Sequence, residues 1–257
     1  MRLLVTNDDG IQAPGIAALA RAMVAAGHDV VVAAPLGDRS GSGAAIGSVH
    51  VDETIDVQPF DLAGLEGVHC VGVEGPPALA VMAARLGGFG EPPDLVVSGI
   101  NPGPNTGRAT LHSGTVGAAL TGANFGVSGL AVSIGVGDPS HWETAASLAV
   151  SAVDWLADAP PKTVLNINVP NVPVGELLGV RWARLAPFGT VRAAIVESDE
   201  GGLQMELAEH GVELPPDTDT ALVLAGYAAV TSIVGIRAAP EVDIAAFLEG
   251  RVTRRTA

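Results

Sequence analysis

One cysteine, one lysine and the want of any long uncharged apolar run set the first limits on this 257-residue chain. A single thiol excludes an intramolecular disulfide. Cys70 stands in the apolar run 68–73, which points to a buried strand residue in a reducing compartment rather than to a nucleophile. The sole lysine, Lys162, lies in no glycine loop, so the G-x-x-x-x-G-K-[ST] pattern is missing and a P-loop nucleotide hydrolase is excluded. The G-x-G-x-x-G fingerprint of dinucleotide folds is missing too, because Gly41-Ser42-Gly43 has no third glycine at the required spacing. Lysine and arginine total 13 against 28 aspartates and glutamates, a formal charge of −15, which leaves no cationic cluster to neutralise a polymeric nucleic acid. The apolar stretch 3–5 runs straight into Asn7, Asp8 and Asp9, far short of a signal peptide. Nowhere do about 18 uncharged apolar residues follow one another, so the expectation is a cytoplasmic protein without a membrane partner.

What is present reads as a single α/β domain. The chain is 48% hydrophobic, enough for one large core, and its 33 glycines and 18 prolines are scattered between apolar segments, as turns are in a many-element fold. Strand patterns at 2–6, 29–34, 68–73, 94–98, 129–134 and 163–169 alternate with helix patterns at 14–26, 77–86, 114–125 and 142–156. The strands are short and apolar nearly throughout. They predict a mostly parallel, Rossmann-like sheet with helices on both faces and right-handed crossovers. After Pro170 the pattern changes to strand-like runs at 180–185, 203–207 and 226–233 without clear intervening helices, closed by a short helix at 241–248. Roughly 175–257 is therefore expected to be a β-rich C-terminal extension or arm, with 186–218 a loop, an arm or an oligomer contact.

In open α/β sheets ligands bind outside the carboxyl ends of the strands, so the polar residues that follow each strand are where a site is sought. Three such loops stand out. Asn7-Asp8-Asp9-Gly10 places two carboxylates side by side after an apolar strand; they repel unless a cation or hydrogen bonds offset them, and such oxygen ligands suit Mg²⁺, Mn²⁺ or Ca²⁺. The plainer alternative is an Asp-Gly turn with one acid capping the next helix. Asp38-Arg39-Ser40-Gly41-Ser42-Gly43 is rich in small residues whose backbone can approach a ligand, or is simply a flexible loop. The third loop, 98–107, leads through His112 into Ser113-Gly114-Thr115-Val116 and an apolar helix. Hydroxyls and unpaired N–H groups at that helix start make an anion site without a lysine, although Ser113 could equally be an ordinary N-cap.

These residues together carry a resemblance: Asn7-Asp8-Asp9-Gly10 with Ala13-Pro14-Gly15, Ala34-Pro35 with Arg39-Ser40-Gly41, Ser98-Gly99-Ile100-Asn101 with Gly103-Pro104-Asn105, and Ser113-Gly114-Thr115-Val116. The chain resembles the stationary-phase survival protein SurE family, with further matches at 165–170, Thr218-Asp219, Gly226-Tyr227 and Thr231. The resemblance implies a metal-dependent phosphatase that hydrolyses nucleoside monophosphates, at the 5′ or the 3′ position, and sometimes short polyphosphate. It also implies homodimers or homotetramers built through exchanged C-terminal arms. By position, Asp8, Asp9, Ser40 and Asn101 would be the ligands of one divalent cation, Mg²⁺ or Mn²⁺, with Ca²⁺ an option in crystals. The chain departs from the family pattern at 75–81, where Gly-Pro-Pro-Ala-Leu-Ala-Val replaces hydroxyls and an acid, and at Arg108 and His112.

The chemistry expected from this set is hydrolysis of a small phosphate monoester. Asp8 and Asp9 would be the catalytic pair, one of them orienting the water, while Asn105, the N–H groups around Gly114, and the hydroxyls of Ser113 and Thr115 hold the phosphate oxygens. His112 is a candidate proton donor by type and position, or a surface residue. A bound cation would also reverse the sign of the local field, which an acidic protein needs if it is to accept an anionic substrate. Two rival readings are a nucleotide- or metal-binding module that kept the rim but lost turnover, and a glycosyltransferase. The latter is weaker because it calls for a spaced Asp-x-Asp and a separate acceptor half.

Overall fold

The computed structural model describes residues 1–47, 54–187, 191–197, 203–209, 214–237 and 249. Its first half alternates strand and helix. β1 (Arg2–Thr6), α1 (Pro14–Ala25) and β2 (Asp29–Pro35) are followed by a short β3 (Val57–Pro59), then β4 (His69–Val73), α2 (Pro77–Arg85) and β5 (Leu95–Pro102). α3 (Gly114–Asn124), β6 (Ser128–Ile134), α4 (Trp142–Ala157) and β7 (Val164–Val169) complete the repeat. β8 (Val180–Trp182), β9 (Val191–Glu197), β10 (Leu203–Glu209), α5 (Asp219–Leu224) and β11 (Ala228–Ser232) follow.

Nine strands form one sheet in the order β3-β4-β2-β1-β5-β6-β7-β11-β8. From β4 to β7 every pairing is parallel, while β3 and β11 run antiparallel to their neighbours β4 and β7. The expected mostly parallel α/β sheet is therefore what the chain builds. Apolar residues on both faces of β1 and β2 explain the arrangement, since each face must be covered by helices. Ile16, Leu19, Ala20 and Met23 recur at helical spacing on α1 and are fully buried. They join Ala145, Ala149 and Val153 of α4 in the core on one face, while α2 and α3 cover the other through Leu79, Ala80, Val81 and Ala118. Truncating one of these side chains, as in Leu19→Ala, leaves a cavity costing about 2–5 kcal/mol.

Several boundaries differ from the sequence pattern. β3 was not expected; its three residues are exposed, and Val-Gln-Pro is too short and too proline-bound to show a strand period. β5 runs on past Ser98 to Pro102, with a register shift between Ser98 and Asn101, and carries Asn101 beyond the end of β1 while it still pairs with Ser133 of β6. α5 also went unforeseen, being six residues with Thr220 and Val223 among them, which weakens its helical signature. Within the segment 186–218 the described residues include an antiparallel ribbon of β9 and β10, separate from the main sheet. The helix expected at 241–248 lies outside the described residues.

The chain order fixes where a ligand can sit. Strands β1, β2 and β4 step outward in one direction, and β5, β6 and β7 step outward in the other, so the winding reverses between β1 and β5. Loops leaving those two strands at their carboxyl ends diverge and open a crevice. The first of these loops begins with Asn7, and the second leaves β5 just after Asn101 and Pro102.

Candidate active site

Each side of that crevice is held by its own hydrogen bonds. After β1, the Asn7 amide donates to the Gly10 carbonyl at 3.0 Å and accepts from the Gly10 N–H at 3.2 Å, closing a turn that holds Asp8 and Asp9. Gly10 has φ +106°, which a glycine adopts without strain. The second loop is tied to the first, because the Arg39 N–H donates to the Asp8 carbonyl at 2.7 Å. The third is anchored from below. The Asn105 N–H donates to Asn168 Oδ1 at 2.7 Å, its carbonyl accepts from the amides of Asn166 and Asn168, and its own amide donates to Ser133 Oγ at 2.9 Å.

These anchors bring the acids against the start of α3. Asp8 is 3% exposed, and its Oδ1 accepts from Thr115 Oγ1 at 2.5 Å; the same hydroxyl lies 3.5 Å from Asn101 Oδ1. The Asn101 amide nitrogen donates to the Gly103 carbonyl at 2.7 Å, which leaves its oxygen toward Thr115. A Cβ on Gly114 would stand 2.6 Å from Ser42 Oγ and 2.7 Å from Asp8 Oδ2, so the helix start meets the acid only because this residue has no side chain. Ser113 caps α3 by accepting the Val116 N–H at 3.1 Å, the plainer of its two expected roles.

The geometry thus brings Asp8, Asn101, Gly114 and Thr115 together, with Ser113 and Asn105 at the edges of the same crevice. Ser40 is the outlier. It is exposed, and its hydroxyl donates to Asp38 Oδ1 at 2.6 Å, while its N–H donates to the same atom at 2.8 Å. Those two bonds, the hydroxyl's first, hold Asp38 below the usual carboxylate range. The His112 side chain is exposed, and its carbonyl accepts the Gly43 N–H at 3.1 Å. Cys70 is buried on β4, and burial followed by the charge of Asp61 pushes its thiol up, away from nucleophilic use.

Asp9 carries the clearest electrostatic signature. Burial first, and then the charges of Asp8 and Asp38, raise its carboxyl to about 7. Its Oδ2 is enclosed and has no hydrogen-bond partner among the described residues. A buried oxygen of this kind beside a second carboxylate is what a cation satisfies. The donors at hand are two carboxylates with the Asn101 amide oxygen, while the Ser40 hydroxyl is engaged by Asp38. Oxygen-only sets of this kind fit Mg²⁺, Mn²⁺ or Ca²⁺ rather than the softer metals. Among the described residues no three His, Cys, Asp or Glu side chains come together as a metal cluster, so any cation here depends on uncharged oxygens for the rest of its shell.

Four contributors went unassigned at the sequence level. Asn166 and Asn168 alternate in an otherwise apolar buried strand, a pattern that demands hydrogen-bond partners and could have located Asn105. Asp38 acts through charge on Asp9, and Ser42 places beside Gly114 an enclosed hydroxyl that has no partner among the described residues. Neither has a sequence signal beyond its place in a small-residue loop.

The family model described as Survival protein SurE matches residues 3–190. The chain belongs to the SurE family. A protein named 5'-nucleotidase SurE from Stenotrophomonas maltophilia (strain K279a) is 39% identical over 240 residues, covering 91% of this chain and 89% of that protein. Another, named 5'/3'-nucleotidase SurE, from Cronobacter sakazakii, is 38% identical over 242 residues, with 91% and 90% covered. Among solved structures, the SurE protein from Aquifex aeolicus superposes with a TM-score of 0.79 at 32% identity, covering 97% of this chain and all of that one.

Proposed function

We propose that this SurE-family chain hydrolyses nucleoside monophosphates to nucleoside and phosphate, with one divalent cation, Mg²⁺ or Mn²⁺, held by Asp8, Asp9, Asn101 and Ser40. The observation that carries the reading is the meeting of buried Asp8 and half-buried Asp9, whose enclosed Oδ2 has no partner among the described residues, with the N-terminus of α3 at the switch point of the sheet. The nucleotidase names of relatives at about 40% identity support the substrate class. Short polyphosphate shares the terminal phosphoryl group and belongs to the same reading.

When bound, the cation supplies Lewis acidity and neutralises charge growing on the phosphoryl oxygens. The protein supplies the rest. Thr115 fixes the Asp8 carboxylate by its hydrogen bond, so the acid is oriented before any ligand arrives. The N–H groups of Gly114 and Thr115 at the start of α3 face the anionic phosphate, and the helix dipole favours it there. Asn105 and Ser113 flank that position, and one of the two ionised aspartates, Asp8 or Asp9, orients the attacking water.

The reading includes self-association. Trp155 and Trp182 are 58% and 65% exposed and, with Val180, border an apolar groove of about 340 Å³ between α4 and the edge strand β8. Edge strands with exposed apolar residues are ordinarily covered, here by a second copy of the chain. No helix among the described residues is long and apolar enough to cross a membrane.

The deciding experiment is phosphate release from a panel of nucleoside monophosphates with and without Mn²⁺ or Mg²⁺. Cation-dependent release, lost on chelation and in Asp9→Asn, is expected. Nucleotide binding by folded protein without any release would instead mark a binding module that lacks turnover.

A further inference from the structure

Asp219 stands more than a hundred residues from the acids of the crevice, yet it is fully buried and holds the turn that leads into the phosphate-facing helix. Its Oδ2 accepts the Gly107 N–H at 2.8 Å. Its Oδ1 accepts the N–H groups of Ala186 and Thr220, each at 2.8 Å. Gly107 opens the 3-10 turn Gly107–His112 with φ +58°. Inside the turn, Thr110 Oγ1 donates to the Gly107 carbonyl at 2.9 Å and the Ser113 N–H donates to the Thr110 carbonyl at 3.3 Å. The last residue of the turn, His112, takes the Gly43 N–H on its carbonyl. One short path of hydrogen bonds therefore runs from Asp219 through the turn to Ser113 at the head of α3, with a branch to the small-residue loop.

We infer that Asp219 is a positioning residue for phosphate binding: from the C-terminal third of the chain, it fixes the turn 107–112 and through it the donors at the start of α3. The inference rests on the phosphate site of the proposed function. It adds that residues beyond β7 complete that site without touching the substrate.

The geometry makes Asp219→Asn a selective probe. An amide has one oxygen and one NH₂ that only donates. The oxygen is best kept where it serves two donors, Ala186 and Thr220, which sets the nitrogen against the Gly107 N–H and releases the turn alone. In folded Asp219→Asn, KM for 5'-AMP should rise about tenfold with kcat changed less than about twofold, the mark of lost binding common to ground and transition states. The inhibition constant of inorganic phosphate should rise by the same factor. Mn²⁺ affinity should fall by a smaller factor than phosphate affinity, because Asp8 and Asp9 leave β1 and reach the head of α3 through the Thr115 hydroxyl, one step beyond the turn. Hydrogen exchange at residues 107–113 should quicken. A lowered melting temperature with unchanged KM and phosphate inhibition would overturn the inference. If the wild-type protein hydrolyses nothing, the proposed function fails separately. Direct phosphate titration and the exchange rates then decide the matter, with unchanged values in Asp219→Asn overturning the inference. Should Asp219→Asn not fold, Thr110→Val loosens the same turn from within. A several-fold loss of phosphate affinity then supports the inference, and an unchanged affinity overturns it.

Discussion

Burial and the charges of Asp8 and Asp38 lift the Asp9 carboxyl from 3.8 to about 7, and this has a definite sign in pH. A group whose native value lies above its unfolded one binds more protons when folded. It favours the native state at low pH, and that contribution is lost as pH rises from about 4 through about 7. In chelated protein the melting temperature of the wild type, measured relative to Asp9→Asn, should fall across that window; a flat difference would contradict the buried acid. Proton and cation compete for the same carboxylate, so Mn²⁺ affinity should rise about tenfold per pH unit below 7 and level off above it. Thr115 offers a second test on the residue scale. Its hydroxyl was expected on the phosphate, whereas in the structure it donates to Asp8. Losing a hydrogen bond to a charged group costs about 1.5–3 kcal/mol, roughly ten- to a hundredfold in affinity. Thr115→Val should therefore weaken Mn²⁺ binding by that order, and a variant that loses phosphate affinity alone would place the hydroxyl on the phosphate instead. The type and place of Asp8, Asp9, Asn101 and Thr115 were legible in the sequence because each follows a strand or opens a helix. The direction of a hydroxyl was not, since Thr115 could turn to a ligand or to a neighbour and only the approach of the loop after β1 to the head of α3 decides between them.

Elements meet here through missing side chains. α3 lies on the small-residue loop 39–47 so closely that a Cβ on Gly117 would collide with the Gly43 carbonyl and stand 2.6 Å from the Ala44 nitrogen. Glycine inside a helix ordinarily costs about 0.5–1 kcal/mol relative to alanine, so Gly117→Ala would stabilise a free helix. In this protein the sign reverses. The obstacle is backbone, which cannot swing aside as a side chain can, and overpacking of that kind costs about 1–3 kcal/mol. Gly117→Ala should lower the melting temperature and also weaken hydrolysis, because the loop it displaces carries Ser40 and Ser42. A variant more stable than wild type would show that the loop does not rest on α3. The strands and main helices were readable because their apolar periods are long and unbroken. β3 and α5 were not, having three and six residues, too few to display a period. The close approach of α3 to the loop was hidden for a different reason. Glycines in an apolar helix announce proximity to something, and only the strand order names the partner.

At the scale of the whole molecule the formal charge of −15 opposes an anionic substrate, while a cation at Asp8 and Asp9 acts only within the crevice. The two effects have different ranges. Electrostatic influence between exposed charges fades beyond about 10 Å at 0.1 M salt, so added salt screens the repulsion felt by an approaching nucleotide far more than the short-range attraction inside the site. Most enzymes that bind phosphates on a basic surface lose efficiency as salt is added, because screening removes their steering. Here the opposite slope is expected. With the cation held saturating, kcat/KM for a nucleoside monophosphate should rise about two- to threefold between roughly 0.02 and 0.2 M of a non-coordinating salt, and kcat should hardly move. An uncharged-leaving-group comparison sharpens the point. A monoester with one phosphate group should gain less from salt than a short polyphosphate, whose greater charge meets more of the long-range field. If efficiency instead fell steadily with salt for both substrates, the encounter would be governed by local positive potential at the crevice, and the arginines nearest to it, Arg39 and Arg108, would be the residues to replace next.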